Sequence, residues 1–480
     1  MLILVLEAST AAAKAMLYRS GTGMIAVLHQ NYSVAAGDLA SYNADRIMAE
    51  TMALGNRLLR QTGITRVDMV ATCSIWSHSL LMLDVQKRPL SPLNTWADTA
   101  AAATTRKYRK DNLLFTSLYQ RTGCPIHTTY TLWKYIHEKE NGNLKDVSLI
   151  ASLPDYLFFK LSGEFAVSRS TASAGGFLNI HTLEWDMETL DFAGIDAAML
   201  PKLVDSEYTG SLTEEAAAAL GLQEGTPVLI TGADGCMNQV AAGAFGGPIM
   251  TVSVGTSAAM RMATSRPVLA DYPSTWCYAG VEQMWVVGCA TAGAGNCVDW
   301  MGKKILGPGN GLSLQQLDEG AAAALAKGEA PFFLPFLAGE RCPGWDDTKT
   351  AMLFEMKIDH DIYDLYYAVL EGVLFNLRQC YDLTVPIVGQ PPALINISGG
   401  IEGSPLWIAM AATIFGKPVY TGGLQHASLL GAALMGLKAA GEIVTVKGIQ
   451  PVIEKTWEPL PGKKDFYEKR FEKYLRYYKG

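Results

Sequence analysis

Two stretches about half a chain apart follow one plan. Val5-Leu6-Glu7-Ala8-Ser9-Thr10-Ala11-Ala12 and Thr251-Val252-Ser253-Val254-Gly255-Thr256-Ser257-Ala258 each read as an apolar strand, a tight turn with a central threonine, and the start of another strand. The chain has 480 residues, long for one hydrophobic core, so two domains are the natural expectation. A duplicated domain whose copies each offer a hairpin explains the pair economically, because turn N–H groups suit phosphate oxygens. Strand–turn–strand is also a common unit and small residues match by chance, so duplication and coincidence both stand at this point.

Around the first stretch, Leu2–Leu6, Ala15–Tyr18 and Met24–Gln30 read as three strands joined by short turns, a meander. Asp45–Gln61 has helical spacing of Ile47, Met48, Met52, Leu54 and Leu58, and Asp68–Cys73 reads as a buried strand. Around the second, Pro227–Thr231 and Ile249–Val254 read as strands, with Asn238–Phe245 a small, alanine-rich helix between them. Further on, Tyr363–Cys380, Leu406–Phe415 and Ala427–Ala440 read as helices and Ala393–Ile397 as a strand. In the tail, Asp465–Lys479, the aromatic residues Tyr467, Phe471, Tyr474 and Tyr478 recur at helical spacing, a stripe suited to docking on a core.

Several function classes are excluded early. The net charge is −7 and there is no basic block, which argues against a nucleic-acid surface. Glu7 cuts the apolar start short of a signal or membrane segment, and the eight cysteines contain no C-x-x-C pair; together these predict a cytoplasmic protein with reduced thiols and no membrane contact. There is no H-E-x-x-H, no G-x-x-x-x-G-K-[ST], no Rossmann glycine motif and no G-x-S-x-G, so a dedicated transition-metal site, a P-loop, a dinucleotide fold and a serine hydrolase are not expected.

Single residues carry the remaining chemistry. Asp234, in Thr231-Gly232-Ala233-Asp234-Gly235, follows an apolar strand and lies between glycines. It reads either as a turn residue or as a catalytic carboxylate at a carboxyl strand end. Gly255-Thr256-Ser257 is either a plain hairpin turn or an anion nest. Ser398-Gly399-Gly400 lets backbone approach a flat base, and Ser404, before Pro405-Leu406, is placed to cap a helix. His78, Trp96, Asp98 and Trp345 are of the types that line sugar pockets, although each alone is more often structural.

Taken in order, these segments resemble the FGGY carbohydrate kinases, and among them the gluconate kinases most, with xylulose kinases next. The resemblance rests on Val228–Arg261, with its G-A-D-G and G-T-S blocks, and on Trp276-Cys277-Tyr278 with Trp285-Val286-Val287-Gly288. It is carried further by Phe333–Trp345, Ser77-His78-Ser79-Leu80, Asn94-Thr95-Trp96-Ala97-Asp98, Thr122–His127 and Ile397-Ser398-Gly399-Gly400 with Ser404-Pro405-Leu406-Trp407. It implies an α/β fold of two actin-like (ribonuclease H-like) domains, residues 1–243 on the sugar side and 244–480 on the nucleotide side, with an interdomain active-site cleft. ATP and Mg²⁺ are the implied cofactors, and a homodimer is compatible with it. Asp234 would be the catalytic base and would also face the substrate. Thr10, Lys14, Gly255, Thr256, Gly399, Gly400 and Ser404 would bind ATP, while His78, Trp96 and Asp98 would face the sugar. Glu7 and Asp234 would serve the metal.

The sequence departs from the family pattern in places. The family's first motif, D-x-G-T-x-S, is here Glu7-Ala8-Ser9-Thr10-Ala11-Ala12: the carboxylate reaches one methylene further, Ser9 replaces a glycine and either crowds the phosphate or demands a different turn, and Ala12 lacks a hydroxyl. Ala100 stands where the family has Arg, Ser168 where it has Asp, and Trp76 where xylulose kinases carry Gln. Gluconate is the expected substrate, phosphorylated on its terminal hydroxyl. A pentulose or polyol kinase, or a degenerate member that binds without efficient transfer, are the alternatives.

Overall fold

The computed structural model describes residues 1–33, 37, 39–307, 311–422 and 426–480. Packing divides the chain into two compact units. The first comprises Met1–Gly246, Thr264–Val286 and Gln425–Ile449; the second comprises Gly247–Ala263, Val287–Leu424 and Gln450–Gly480. The first crossing falls between Gly246 and Gly247, and two later segments return to pack with the first unit.

In the first unit, strands β1 (Leu2–Ala8), β2 (Ala12–Arg19), β3 (Gly23–Asn31), β4 (Met69–Ser74), β5 (Thr209–Ser211) and β6 (Pro227–Leu229) form one sheet in the order β3-β2-β1-β4-β6-β5. The expected meander is β1-β2-β3, antiparallel throughout, while β4 and β6 continue the sheet in parallel from β1. β1 and β4 are apolar almost without alternation because both faces of these central strands are covered. Helix Ala44–Thr62 buries Ala44, Ile47, Met48, Thr51, Leu54, Gly55, Leu58 and Leu59, one stripe at helical spacing. Asn43 caps its start by accepting from the Arg46 N–H, a contact worth about 1 kcal/mol. Gly55 sits where a β-carbon would press on Leu6 and Leu220, so the helix lies close over β1.

The second unit repeats this plan. Six of the seven strands of its sheet, β7 (Ile249–Val254), β8 (Ala258–Thr264), β9 (Trp285–Thr291), β10 (Leu394–Gly399), β11 (Val419–Thr421) and β12 (Lys455–Trp457), run in the order β9-β8-β7-β10-β11-β12. β7 pairs antiparallel with β8 and parallel with β10, as β1 does with β2 and β4. The long helix Ile362–Val388 starts in a capping box of Asp361 and Asp364 and stops at Gly389 in the left-handed conformation. The tail helix Lys464–Lys479 docks through Tyr467, Phe471 and Tyr474 on Phe375, as its aromatic stripe predicts. Arg470 forms a bidentate, buried ion pair with Glu371, both contacts at 2.6 Å, which also accepts from Tyr367.

Two local expectations need correction. The strand before Asp234 stops at Leu229 because Thr231 takes φ +39°, outside the strand region, and its hydroxyl donates to Thr72 O on β4. The helix expected at Asn238–Phe245 spans Asp234–Ala241 instead: Ala233 is extended, and the glycine at 243 turns left-handed where the alanine run suggested continuation.

Candidate active site

Parallel strands bring their carboxyl ends to one edge of a sheet, and the first unit's candidate residues follow from that geometry. β1 ends at Ala8 opposite Ser74, the last residue of β4, and the Ser74 hydroxyl donates to Ala8 O at 2.7 Å. Ser74 in turn bridges to Ala233, one residue before Asp234. The turn after β1, the loop after β4 that carries Trp76 and His78, and Asp234 are therefore placed together by three neighbouring strand ends.

Asp234 is half-buried at the first turn of helix Asp234–Ala241, where the Gly235 N–H donates to its Oδ1 at 2.6 Å. A carboxylate at this position faces the helix's exposed N–H groups, a favourable placement for negative charge. Gly232 lies close to its neighbours, since a β-carbon there would come within 3.0 Å of the Met237 methyl and 3.1 Å of the Ser170 hydroxyl. The structure thus makes Asp234 a helix-start residue at a strand end, where the turn reading had placed it in a simple bend.

The hairpin after β1 is wired through side chains. Ser9 donates to Ala12 O from both its N–H, at 3.1 Å, and its hydroxyl, at 2.7 Å. Thr10 accepts from the Trp96 indole N–H at 2.8 Å, so a residue read as phosphate-binding and one read as sugar-facing touch directly. Glu7 and Lys14 stand opposite each other in register, and Lys14 Nζ donates to Glu7 Oε1 at 2.6 Å. Burial works against the Lys14 ammonium, but Glu7 and then Asp234 outweigh it and hold its pKa above the ordinary lysine value. Cys73, wholly buried, has its thiol pushed well up by burial and then by Glu7 and Asp234.

His78 lies in an aromatic cluster. Its ring meets Tyr130 at 5.5 Å and Tyr278 at 5.9 Å between centroids, and Tyr278 stacks on Trp276 at 4.3 Å. Tyr130 and Tyr278 share a hydroxyl–hydroxyl hydrogen bond of 2.9 Å. Trp276 Nε1 is buried with no hydrogen-bond partner among the described residues. Trp276 and Tyr278 come from one of the returning segments, and their neighbourhood to His78 was hidden from sequence reasoning, which recorded Trp276-Cys277-Tyr278 as a family pattern without a role. Asp98 accepts from the Ala100 N–H at 2.9 Å and its carbonyl accepts from the buried Lys134 at 2.8 Å, so this acidic residue is braced by a turn and a cation. Behind this region Asp155 accepts from the Ser152 N–H and hydroxyl, and Ser152 meets Ser77 at 3.1 Å. Burial raises the Asp155 pKa to about 7. Trp345 is fully buried and belongs to the second unit.

The second unit's candidates gather at the matching strand ends. Val254 and Gly399 pair as the last residues of β7 and β10, which sets the Gly255-Thr256-Ser257 turn beside Gly399-Gly400. Gly399 has φ +100°, and a β-carbon on it would lie 2.5 Å from Val254 O. Gly295 and Asn296 donate their N–H groups to Gly255 O and Thr256 O at 2.8 and 3.0 Å, and a β-carbon on Gly295 would also crowd Gly255 O. The result is a cradle of bare backbone, which fits phosphate and the flat face of a base. Ser404 caps helix Pro405–Phe415 by accepting from the Trp407 N–H at 3.1 Å and donates to Asp318 at 2.6 Å, so its hydroxyl serves the helix start.

A protein-held metal fits less well. Both carboxylate oxygens of Glu7 are taken, one by Lys14 and one by Ser428, and the residue is 1% exposed. Among the described residues no cluster of three or more His, Cys, Asp or Glu is placed to hold a metal ion. Among them, too, no helix is long and apolar enough to cross a membrane.

Comparison with known proteins places this architecture. Residues 2–242 match the N-terminal domain, and residues 250–440 the C-terminal domain, of the FGGY family of carbohydrate kinases. The chain is 27% identical to a gluconokinase of Bacillus subtilis (strain 168) over 470 residues, covering 95% of this chain and 91% of that one. It is 30% identical to a xylulose kinase of Escherichia coli (strain K12) over 419 residues, covering 84% and 82%. The crystal structure of a ligand-bound xylulose kinase from Lactobacillus acidophilus superposes with a TM-score of 0.92 at 24% identity, covering 99% of this chain and 97% of that one. With two sheets that share the order of their central strands and both halves matched in order, the chain belongs to the FGGY family of carbohydrate kinases, ATP-dependent sugar phosphotransferases.

Proposed function

We propose that this kinase transfers the γ-phosphoryl group of ATP to the terminal hydroxyl of a sugar acid, with gluconate as the favoured substrate and Mg²⁺ accompanying the nucleotide. The observation that carries the reading is the placement of Asp234 next to Ala233, which bridges to Ser74 where β1 and β4 end, with its charge acting on Lys14. In this reading Asp234 takes the proton from the sugar hydroxyl as its oxygen attacks the γ-phosphorus in line. His78, Trp96 and Asp98 bind the sugar, and the unpartnered Trp276 N–H offers a further donor to it. Gly255, Thr256, Gly399 and Gly400 hold the nucleotide by backbone, Thr10 and Lys14 meet its phosphates, and Ser404 supports the adenosine side through its helix. Gluconate is favoured because the gluconokinase relative aligns over more of the chain than the xylulose kinase one, 95% against 84%. The higher identity of the latter, 30% against 27%, makes a pentulose the second reading.

The test is a coupled ADP-release assay with Mg-ATP over sugar acids, ketoses and polyols. Gluconate should give the highest kcat/KM, and Asp234→Ala should lower kcat about 10²- to 10⁴-fold, the usual range for a lost general base. A higher kcat/KM for xylulose would overturn the substrate; no stimulation by any substrate, with sugar binding retained, would favour a degenerate kinase.

A further inference from the structure

The family pattern assigns the carboxylate at the end of β1 to the metal, and the geometry of this chain gives it other work. Glu7 is almost wholly buried, and its two oxygens have different partners: Lys14 Nζ at 2.6 Å on Oε1, and the Ser428 hydroxyl on Oε2. A cation bound at Glu7 would have to reach oxygens that already accept a hydrogen bond each in a residue that is almost wholly buried, and would then stand against the Lys14 ammonium in a poorly solvated place. The longer glutamate reaches both partners at once; an aspartate at this position would draw the carboxylate back by one methylene.

Ser428 is 421 positions from Glu7 in the chain and belongs to helix Ala427–Ala439, part of the second segment that returns to the first unit. That helix is pressed against the one that starts at Asp234: Gly431 has no room for a β-carbon because Met237 O occupies the space. The helix starts from His426 at φ +62°, whose pKa is lowered by burial and then by Lys14, so the imidazole also borders this group. The charges facing Lys14 are therefore Glu7 and Asp234, with His426 near it and the buried Cys73 thiol among them.

We infer that Glu7 is a positioning residue and not a metal ligand: braced by Ser428, it aims the Lys14 ammonium toward the phosphates beside Asp234, and helix Ala427–Ala439 is thereby part of the phosphate-handling apparatus. This rests on the kinase reading of Asp234 and Lys14. Lys14 then supplies fixed positive charge whose orientation does not depend on a divalent ion, and Glu7 with Ser428 removes the rotational freedom of a long side chain that would otherwise be spent on binding.

The experiment measures ATP affinity by titration calorimetry with and without metal, in EDTA and with Mn²⁺, for wild type, Glu7→Gln, Glu7→Asp and Ser428→Ala. Positioning of Lys14 predicts that each variant weakens ATP about tenfold, the scale of one charge-assisted phosphate contact, and does so equally in both conditions. The ratio of the two affinities should stay at the wild-type value. If Glu7→Gln leaves the EDTA affinity unchanged and lowers that ratio tenfold, Glu7 is a metal ligand and the inference is wrong. It is equally wrong if Glu7→Asp binds ATP more tightly, or if Glu7→Gln and Ser428→Ala both stay within twofold of wild type. Ser428→Ala leaves both charges in place, so it answers even where a Glu7 variant fails to fold. Because the readout is binding, it stands apart from the ADP-release assay: a chain that binds ATP as predicted and releases no ADP would refute the proposed function and leave the geometry of Lys14 standing.

Discussion

The two hairpins of the sequence repeat share a topology and differ in construction. In the second unit Val254 pairs with Ala258, leaving a three-residue turn of Gly255, Thr256 and Ser257. In the first unit Ala8 pairs with Ala13, leaving four residues, Ser9–Ala12, and Ser9 closes them with its own hydroxyl. The second turn is held by backbone: Gly295 and Asn296 bond its carbonyls, and Gly399 stands against Val254 without a side chain. The first is held by side chains: Trp96 on Thr10, and Lys14 and Ser428 on Glu7. Even the equivalent strand position differs, since Ser253 accepts from Arg261 where Glu7 accepts from Lys14. The same backbone plan therefore yields a cradle of peptide groups in one unit and, in the other, a side-chain-braced hairpin on a buried carboxylate. Sheet topology fixes where a hairpin lies; the residues at its base decide what chemistry it offers.

The contrast breaks most sharply at Gly399. An alanine there meets Val254 O at 2.5 Å and must hold φ near +100°, a conformation that side chains resist. Gly399→Ala should destabilise the protein by about 1–3 kcal/mol and raise the KM for ATP well over tenfold, with the KM for the sugar little changed. Thermal unfolding and steady-state kinetics check the two parts. Equal loss of both substrates would mean that the second hairpin is not a nucleotide cradle defined by bare backbone.

The strength of that expectation shows where the sequence was informative. The meander, the hairpin at Gly255, the tail's aromatic stripe and the cap at Ser404 were all legible because each depends on residues close in sequence: period, turn chemistry or a hydroxyl before proline. Glu7 was legible only as a departure. Its partner Ser428 lies 421 residues away, and no local pattern distinguishes that serine from any other near a helix start. Trp276 and Tyr278 met the same limit, because the contacts of Trp276 with Trp76 and of Tyr278 with His78 depend on a segment that leaves the first unit and returns. Asp234 was identified from its glycines and the family pattern, but its helix was placed four residues late, since the left-handed Thr231 that ends the strand carries no sign in its residue type.

A middle-sized effect should come from Asp155, which tests whether the side-chain construction of the first unit extends behind the loop of Ser77 and His78. Burial raises its pKa to about 7, above the ordinary carboxylate value. The folded protein then holds a proton that the unfolded chain has released between the two pKa values, so this group's contribution to stability is present at acid pH and is lost as pH rises toward about 7. Asp155→Asn keeps an acceptor for Ser152 and removes the titration. Comparing melting temperatures at acid and at mildly alkaline pH, the wild type should lose more stability across that interval than the variant. Parallel curves would show that Asp155 is not protonated in the folded state and that its hydrogen bonds to Ser152 hold a charged group.

The smallest effect, and the finest probe of the contrast, is expected at the contact between Trp96 and Thr10. Trp96→Phe keeps an aromatic face but removes the indole N–H that Thr10 accepts at 2.8 Å. A single neutral hydrogen bond of this kind contributes about 0.5–1.5 kcal/mol, so the loss should be a few-fold to about tenfold. What matters is how the loss is distributed. If the first hairpin is braced from the sugar side, removing the N–H loosens Thr10 as well as the pocket wall, and the KM values for sugar and ATP should rise together. If Trp96 serves the sugar alone, only the sugar KM moves. In the second unit the comparable turn is tied by Gly295 and Asn296 N–H groups, which an exchange of one aromatic ring for another does not touch, so the first hairpin is the one tuned by exchanging a ring. Coupled movement of the two KM values in Trp96→Phe would therefore make this contact a link between sugar and phosphate binding, built from one indole and one hydroxyl.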